Sequence, residues 1–436
     1  MDDKKKVLII TYYWPPASGP GVQRFLKMSK YLLSFGWKPI ILTVKNGSYP
    51  SRDESLVEEV PQETPVFRTK SFEPFSLYNR LTGGNKNEST VGLIGIQNSK
   101  SLTKRLSLFI RANLFLPDAR KGWNRFALSE AKKILRDQAP EVIVTTGPPH
   151  STHLIGYTLK KQLGIRWVAD MRDPWTNMYF NKMLPKTRLT QKIDKKTEDR
   201  IIQSADGITT VSPGLREEFA DRAKNIQVVY NGFDPEDLPE PEPQMTKYFT
   251  LSYIGNFKPN QNIEALWQAI ARLKDEKEGF GDRFRIQLTG NIDPGIHQSL
   301  KKLGLTDITD QKAFLPHKEA TRVMNESNML LFIVPKAESN KGIITGKLFE
   351  YLAVRSPILS IGPTDGDAAT IIRNADRDEM LDYTDQEKME HLISYYYDQW
   401  MNDDTLSFKH TETEKSDFSR RTMARQFSEF LKTIAP

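Results

Sequence analysis

The chain has 436 residues, 38% of them hydrophobic and 27% charged, with a formal net charge of +7 and no cysteine. At roughly 100–200 residues per domain this is two domains, or three, each able to bury its own core. Ten per cent aromatics with 25 Gly and 26 Pro excludes collagen-like, mucin-like and largely disordered chains; the lack of cysteine excludes disulfide scaffolds, thiolate zinc sites and cysteine nucleophiles, and fits a reducing compartment.

The N-terminus, Asp2-Asp3-Lys4-Lys5-Lys6 before the short apolar run Val7 to Ile10, is too short for a signal sequence. No stretch approaches the ~20 apolar residues of a spanning helix, so the expectation is a soluble, cytoplasmic chain. A strand is predicted over Lys6 to Tyr13, a turn over Trp14 to Gly21, and a helix from Val22 to Leu33 on apolar spacing. A second strand follows at Pro39 to Val44, and residues 82–103 read as a glycine-rich mobile loop. Helices are then predicted at Trp123 to Asp137, Thr152 to Leu163 and Lys186 to Gln203. They alternate with strands at Glu141 to Thr145, Arg166 to Met171, Gly207 to Ser212 and Ile226 to Tyr230. Continuous apolar strands separated by helices imply a parallel sheet covered on both faces.

The proline-rich segment 236–247 reads as a linker between a domain over 1–235 and a second over 248–414. In the second domain strands are predicted at Thr250 to Gly255, Phe284 to Gly290, Ala313 to Leu315, Met329 to Val334 and Pro357 to Ile361. Helices fall at Asn262 to Lys274, Gly295 to Leu303, His317 to Ser327, Thr345 to Val354 and Ala368 to Asn374. A last helix within 415–436, with Met423, Phe427, Phe430 and Leu431 at helical spacing, is expected to dock back on the first domain. The fold class is α/β, two doubly wound Rossmann-like domains facing across a cleft at the carboxyl ends of their strands.

Charge is unevenly spread. Residues 1–200 hold 34 basic and 18 acidic side chains, net +16, whereas residues 201–436 hold 28 and 37, net −9. A basic half suits nucleic acid, anionic lipid or a phosphorylated substrate; a solvated basic surface is the alternative.

After the first strand, Pro15-Pro16-Ala17-Ser18-Gly19-Pro20-Gly21 opens a helix, and its glycines let backbone N–H groups approach an anion. It is neither a dinucleotide fingerprint, since Arg24 stands at the third glycine position, nor a P-loop. A helix starting near Thr345 points its positive end at an anion; Lys347 in its first turn adds a point charge, and Glu350, on the same face, can accept ribose hydroxyls. A surface ion pair between the two is the alternative.

Gly346-Lys347-Leu348-Phe349-Glu350-Tyr351-Leu352-Ala353, Tyr230-Asn231-Gly232-Phe233, Tyr253-Ile254-Gly255-Asn256 and Phe314-Leu315-Pro316-His317 together resemble the retaining GT-B glycosyltransferases of family 4. Thr146-Gly147-Pro148-Pro149-His150-Ser151 with Asp170-Met171-Arg172-Asp173-Pro174-Trp175 is similar to the branch found in bacterial surface-polysaccharide biosynthesis. The resemblance implies sugar transfer from a nucleotide-diphosphate donor to a glycan or lipid-linked acceptor, with no cofactor and no metal. It implies donor contacts at Gly19, Gly21, Asn256, Lys258, Gly346, Lys347, Leu348 and Glu350, and a base-binding turn near His317. The family's usual partner glutamate, eight residues before Glu350, is replaced here by Gly342. A nucleotide-sugar epimerase of the same architecture and a non-catalytic nucleotide-sugar-binding protein are the competing readings.

On the acceptor side, His150 and His153 follow one predicted strand, and Asp170, Arg172 and Asp173 end the next. Asp173 and His153 are the expected catalytic pair, with His150, Asp170 and Arg172 lining the acceptor side; structural roles for each are the alternative. Segment 99–125 interleaves basic with apolar residues, which suits a peripheral contact at the inner face of the cytoplasmic membrane or a lipid-diphosphate acceptor. A helix packed on its own domain, basic residues in solvent, competes; nucleic acid ranks below both.

Overall fold

The computed structural model describes residues 4–72, 108–110, 112–178, 184–237, 247–338, 340–354, 356–403 and 417–436. The expected loop 82–103, most of the linker 236–247 and residues 99–107 of the basic segment lie outside the described residues. The chain forms two compact units, Met1–Asn231 with Arg420–Pro436, and Gly232–Ser419.

In the first unit seven parallel strands run in the order β3-β2-β1-β4-β5-β6-β7. They are β1 (Lys5–Ile10), β2 (Trp37–Val44), β3 (Val66–Thr69), β4 (Val142–Gly147), β5 (Arg166–Met171), β6 (Gly207–Thr210) and β7 (Ile226–Val228). Val7, Leu8, Ile9 and Ile10 are all fully buried, as a strand covered on both faces requires. One face packs Trp123, with Ala127 and Ile134 of the helix Asn124–Gln138 that follows it, against Leu8, Ile10 and Ile143. The other packs helix Pro20–Leu32 with helix Arg420–Ile434, where Phe25 and Phe427 meet edge to face at 6.2 Å. The chain's last helix is thus a core element of the first unit. The reversal of strand order between β1 and β4 puts the loops after those two strands side by side at the carboxyl ends.

The second unit is a five-stranded parallel sheet, order β10-β9-β8-β11-β12. Its strands are β8 (Phe249–Ile254), β9 (Phe284–Thr289), β10 (Thr309–Lys312), β11 (Met329–Ile333) and β12 (Ile358–Ile361). Leu251, Trp267, Ile286, Leu331 and Ile393 share one core. Two elements differ from expectation. The strand placed at Ala313 to Leu315 is instead Thr309–Lys312, and Phe314 stands 73% exposed. An edge strand pairs on one side only, so the polar Thr-Asp-Gln-Lys sequence can form it without an apolar signal. Helix Gln386–Asp403, absent from the sequence reading, brings Met389, Ile393, Tyr397 and Trp400 onto the same core. Among the described residues no helix is long and apolar enough to cross a membrane.

Candidate functional site

In the second unit a pocket of about 230 Å³ opens at the carboxyl ends of β8 and β11, lined by Tyr253, Asn256, Lys258, Gln261, Thr345 and Lys347 among others. Its frame is rigid. Tyr253 donates its hydroxyl to the Asn256 carbonyl at 2.8 Å, and Gln261 donates from Nε2 to the Ile333 carbonyl at 2.8 Å. Tyr351 is fully buried and accepts the Ile254 N–H at 3.2 Å, which ties helix Gly346–Ala353 to the end of β8.

Lys347 lies across this frame with Nζ 3.8 Å from the centre of the Tyr253 ring. Gly255 makes the fit possible. Its φ of +118° disfavours a side chain, and a Cβ there would stand 2.7 Å from Lys347 Cε and 2.9 Å from Nζ. Burial pushes the Lys347 ammonium down to about 7; Glu350 opposes the shift and Lys258 adds to it. Two lysines therefore face one pocket, and among the described residues neither is in an ion pair at salt-bridge distance. Glu350 is half-buried one turn along, outside the pocket lining.

The helix itself supplies more. Thr345 at its N-cap makes no side-chain cap bond, and its Oγ1 is buried without a partner. Among the described residues the amides of Gly346 and Lys347 have no backbone acceptor. Two lysines, a hydroxyl and two amides suit a diphosphate. Leu348 departs from its expected role: its side chain is fully buried in the core and its N–H is already bonded to the Thr345 carbonyl at 3.2 Å. Asn256 lines the pocket, with Oδ1 accepting from Asn291 Nδ2 at 3.2 Å. Gly342 ends a single exposed 3₁₀ turn and Glu338 is exposed. Helix His317–Glu326 begins at His317, whose side chain lies outside the described residues. Asp365 pairs with Lys341, and among the described residues no three His, Asp or Glu side chains gather as a metal group.

In the first unit Gly19 caps helix Pro20–Leu32 with φ +124°, and Gly21 is pressed by Arg172: a Cβ there would overlap the guanidinium. Arg172 is held by bonds from Nε to Thr146 Oγ1 at 3.0 Å and from Nη2 to the Pro148 carbonyl at 2.7 Å. Arg172 thus stands as a fixed cation beside this helix N-terminus, with Asp170 Oδ2 3.8 Å from its Nε.

Asp170 is corrected from an acceptor-side group to an internal tie. It is fully buried and accepts from Arg24 Nη2, Thr146 Oγ1 and Thr209 Oγ1, each at 2.8 Å, with Arg172 Nε 3.8 Å from its Oδ2. Arg24 continues to the Val229 and Tyr230 carbonyls at 2.8 Å, so the pair joins the first helix to the ends of β5, β6 and β7.

His153 is fully buried; Nδ1 meets Thr145 Oγ1 at 2.9 Å, and Nε2 is buried with no partner. His150 stacks on Trp175 with ring centres 4.7 Å apart and 9° between planes. Both rings face Gly147, His150 Nδ1 lying 3.1 Å from the place of a Cβ. Burial, with Arg172 adding, lowers His150 to about 4; burial and then His150 and Arg172 hold His153 well below the ordinary histidine value. Both are neutral imidazoles at pH 7. Burial raises the Asp173 carboxyl while Arg172 opposes it, and Asp173 makes no hydrogen bond among the described residues. The expected pair, Asp173 and His153, is not joined by a hydrogen bond, although Arg172 acts on both.

Sequence reasoning missed Thr345, Tyr253, Gln261 and Arg24 as parts of these sites. It also missed Asp118, whose carboxylate accepts from Ser151 N and Oγ at 2.8 Å and so sets the histidine turn. A threonine opening a predicted helix was a readable signal for Thr345; the others depend on distant chain segments.

Residues 97–237 match the family model described as Glycosyltransferase Family 4. No curated protein matches in sequence. Solved structures match over nearly the full length. Sucrose-phosphate synthase from Thermosynechococcus elongatus shares 13% identity at TM-score 0.56, covering 99% of this chain and 96% of its own. A point mutant of S. aureus TarM in complex with Fondaparinux, alpha-GlcNAc-glycerol and UDP shares 10% at TM-score 0.53, covering 99% and 100%. A putative UDP-N-acetylglucosamine 2-epimerase from Listeria monocytogenes shares 8% at TM-score 0.54, covering 99% and 96%. Residues 97–237 are thus similar to Glycosyltransferase Family 4, and the chain as a whole has the two-domain α/β GT-B fold of these solved structures.

Proposed function

We propose that this protein moves a sugar, with retention, from a nucleotide-diphosphate donor to a glycan or lipid-linked acceptor in cell-surface polysaccharide biosynthesis, in the cytoplasm at the inner face of the membrane. The observation that carries the donor reading is the Lys347 ammonium, half-buried over Tyr253 with Lys258 facing the same pocket and, among the described residues, no carboxylate at salt-bridge distance. A half-buried amine held near neutrality is costly in an empty site and becomes favourable once a diphosphate supplies the counter-charge. UDP bound to the S. aureus relative supports the same ligand class. Glu350 then takes the ribose hydroxyls. Positive charge comes from Lys347, Lys258 and helix amides, so the reaction is read as metal-independent and cofactor-free, with activity unchanged in EDTA as the expected outcome.

In the first unit Asp173 and His153 take the acceptor and sugar contacts. A neutral His153 with a free Nε2 can hydrogen-bond a sugar hydroxyl, and Asp173, kept clear of partners, can stabilise positive charge at the reacting carbon. The leaving diphosphate assists deprotonation of the acceptor, so no protein nucleophile is needed.

An epimerase reading draws on the Listeria match, and a non-catalytic binding protein on Gly342. Incubation with UDP-, GDP- and dTDP-sugars separates the three: a glycoside product supports transfer, epimerised free nucleotide sugar supports the second reading, and binding without turnover the third. Lys347→Ala and Glu350→Ala should each weaken nucleoside diphosphate binding in calorimetry. Unchanged affinity in both would reject the site.

A further inference from the structure

Helix Arg188–Ser204, in the first unit, wears its polarity inside out over its first three turns. Thr190, Asp194 and Glu198 are buried, whereas Leu189 is 68% and Ile193 47% exposed. The buried acids are fully engaged: Asp194 accepts from Trp175 Nε1 at 2.9 Å and Lys186 Nζ at 2.8 Å, and Glu198 accepts from Thr176 N at 2.8 Å and from Arg222 at 2.7 Å. What faces outward is Leu189 and Ile193, one turn apart, beside Arg188, Lys192 and Lys196, also one turn apart. None of these three cations is in an ion pair among the described residues.

A second segment extends the patch. Asn113 clamps its own stretch to the start of the helix, accepting at Oδ1 from Thr187 N at 2.8 Å and Thr190 Oγ1 at 2.7 Å, and donating to the Pro185 carbonyl at 2.9 Å. The neighbouring Leu114 is 74% exposed, and Phe109 and Ile110 are also exposed. A group of exposed large apolar side chains bordered by unpaired cations marks an interaction surface.

We propose that this face docks the protein on an anionic phospholipid bilayer, Leu114, Leu189 and Ile193 entering the headgroup boundary and Arg188, Lys192 and Lys196 meeting lipid phosphates. Charge complementarity selects the occupant. With Asp194 and Glu198 turned inward and Asp199 tied to Lys195 and Arg222, the outward surface of the first turns is a row of cations flanking apolar tips, the arrangement of an interfacial helix. A second copy of the chain would bring cations against cations, and nucleic acid would have no use for exposed leucine and isoleucine. The proposal rests on the membrane placement proposed above and deepens it by naming the docking face, while donor binding and transfer do not depend on this surface, so a failed vesicle test leaves them standing.

The test is co-sedimentation of the full chain with sucrose-loaded vesicles in 0.1 M NaCl, containing either phosphatidylcholine alone or phosphatidylcholine with phosphatidylglycerol at 7:3. Wild type should partition at least tenfold more strongly into the anionic vesicles. Each cation near such a surface contributes roughly fivefold in partitioning, so the triple variant Arg188→Glu, Lys192→Glu, Lys196→Glu should lose binding. Leu189→Ser with Ile193→Ser should weaken it at least tenfold. Unchanged circular dichroism melting in both variants keeps the comparison valid, since all five positions are exposed. Anionic vesicles that fail to bind wild type, or that bind wild type and both variants alike, overturn the proposal. So does a dimer that the serine variant dissociates, or duplex DNA retention that only the charge variant loses, when vesicle binding is unmoved by either.

Discussion

Lys347→Met should make the empty protein more stable while removing nucleotide binding. Holding the amine near 7, against an ordinary lysine value near 10.5, costs the folded state roughly 4–5 kcal/mol at or below pH 7, at about 1.36 kcal/mol per pH unit. At pH 8 the folded amine is mostly neutral and the cost is about 3 kcal/mol. Methionine keeps most of the apolar stem, with its sulfur at the place of Cδ, and removes the ammonium from over the Tyr253 ring. After about 1 kcal/mol is deducted for the lost cation–π contact, a net gain of about 2 kcal/mol at pH 8 remains. For a unit of this size that is a rise of about 4–8 °C in the thermal midpoint.

The pH dependence carries a definite sign. Between 7 and about 10.5 the unfolded chain holds the Lys347 proton and the folded chain has released it, so wild-type stability rises with pH across that window. The gap between variant and wild type should therefore be widest at pH 7 and below, and close as pH approaches 10. Circular dichroism melts from pH 6 to 10 measure it. In parallel, UDP should raise the wild-type midpoint by mass action and leave the variant's unmoved. A variant less stable than wild type at pH 7, or a gap constant from pH 7 to 10, would refute the placement of Lys347 as a half-buried, unneutralised amine.

Gly255→Ala should weaken nucleoside diphosphate binding at least tenfold in calorimetry, because its Cβ would displace Lys347 Cε from 2.7 Å. Asp170→Asn should destabilise the first unit by about 3–5 kcal/mol in urea unfolding, since Arg24 would stay buried with its charge uncompensated. His150 releases its proton near 4 when folded and near 6.5 when unfolded, so its contribution makes stability fall as pH drops through 6.5 toward 4. His150→Phe retains the stack on Trp175 and should flatten that acid slope in melts between pH 4 and 7.

The elements easiest to read from sequence were those whose burial pattern is also their apolar pattern. The run Val7 to Ile10 is buried without exception, and helix Gly346–Ala353 buries Leu348, Phe349, Tyr351 and Leu352 in the spacing its sequence announces. Reading failed where pairing, not burial, makes the element: β10 is Thr-Asp-Gln-Lys, three of its four residues exposed, and is a strand because β9 offers an open edge. The site divides the same way. That Lys347 and Glu350 stand one turn apart on one helix was legible because helix geometry is local. What gives Lys347 its chemistry is not local, since the ring of Tyr253 beneath it and the bare Cα of Gly255 beside it lie almost a hundred residues upstream.

Asp170 shows the opposite error. An aspartate closing a strand, two residues before an arginine, reads as a rim carboxylate. Yet parallel pairing of β4, β5 and β6 sets Asp170 opposite Thr146 and Thr209, whose hydroxyls close on it, and Arg24 completes the cage from the first helix. A charge on a strand in mid-sheet is surrounded by its neighbours' side chains before solvent can reach it. Asp173, three residues on, lies beyond the last paired residue Met171 and escapes that enclosure. The boundary of the strand, more than the identity of the residue, decides which carboxylate ties the fold and which is left without a hydrogen-bond partner among the described residues.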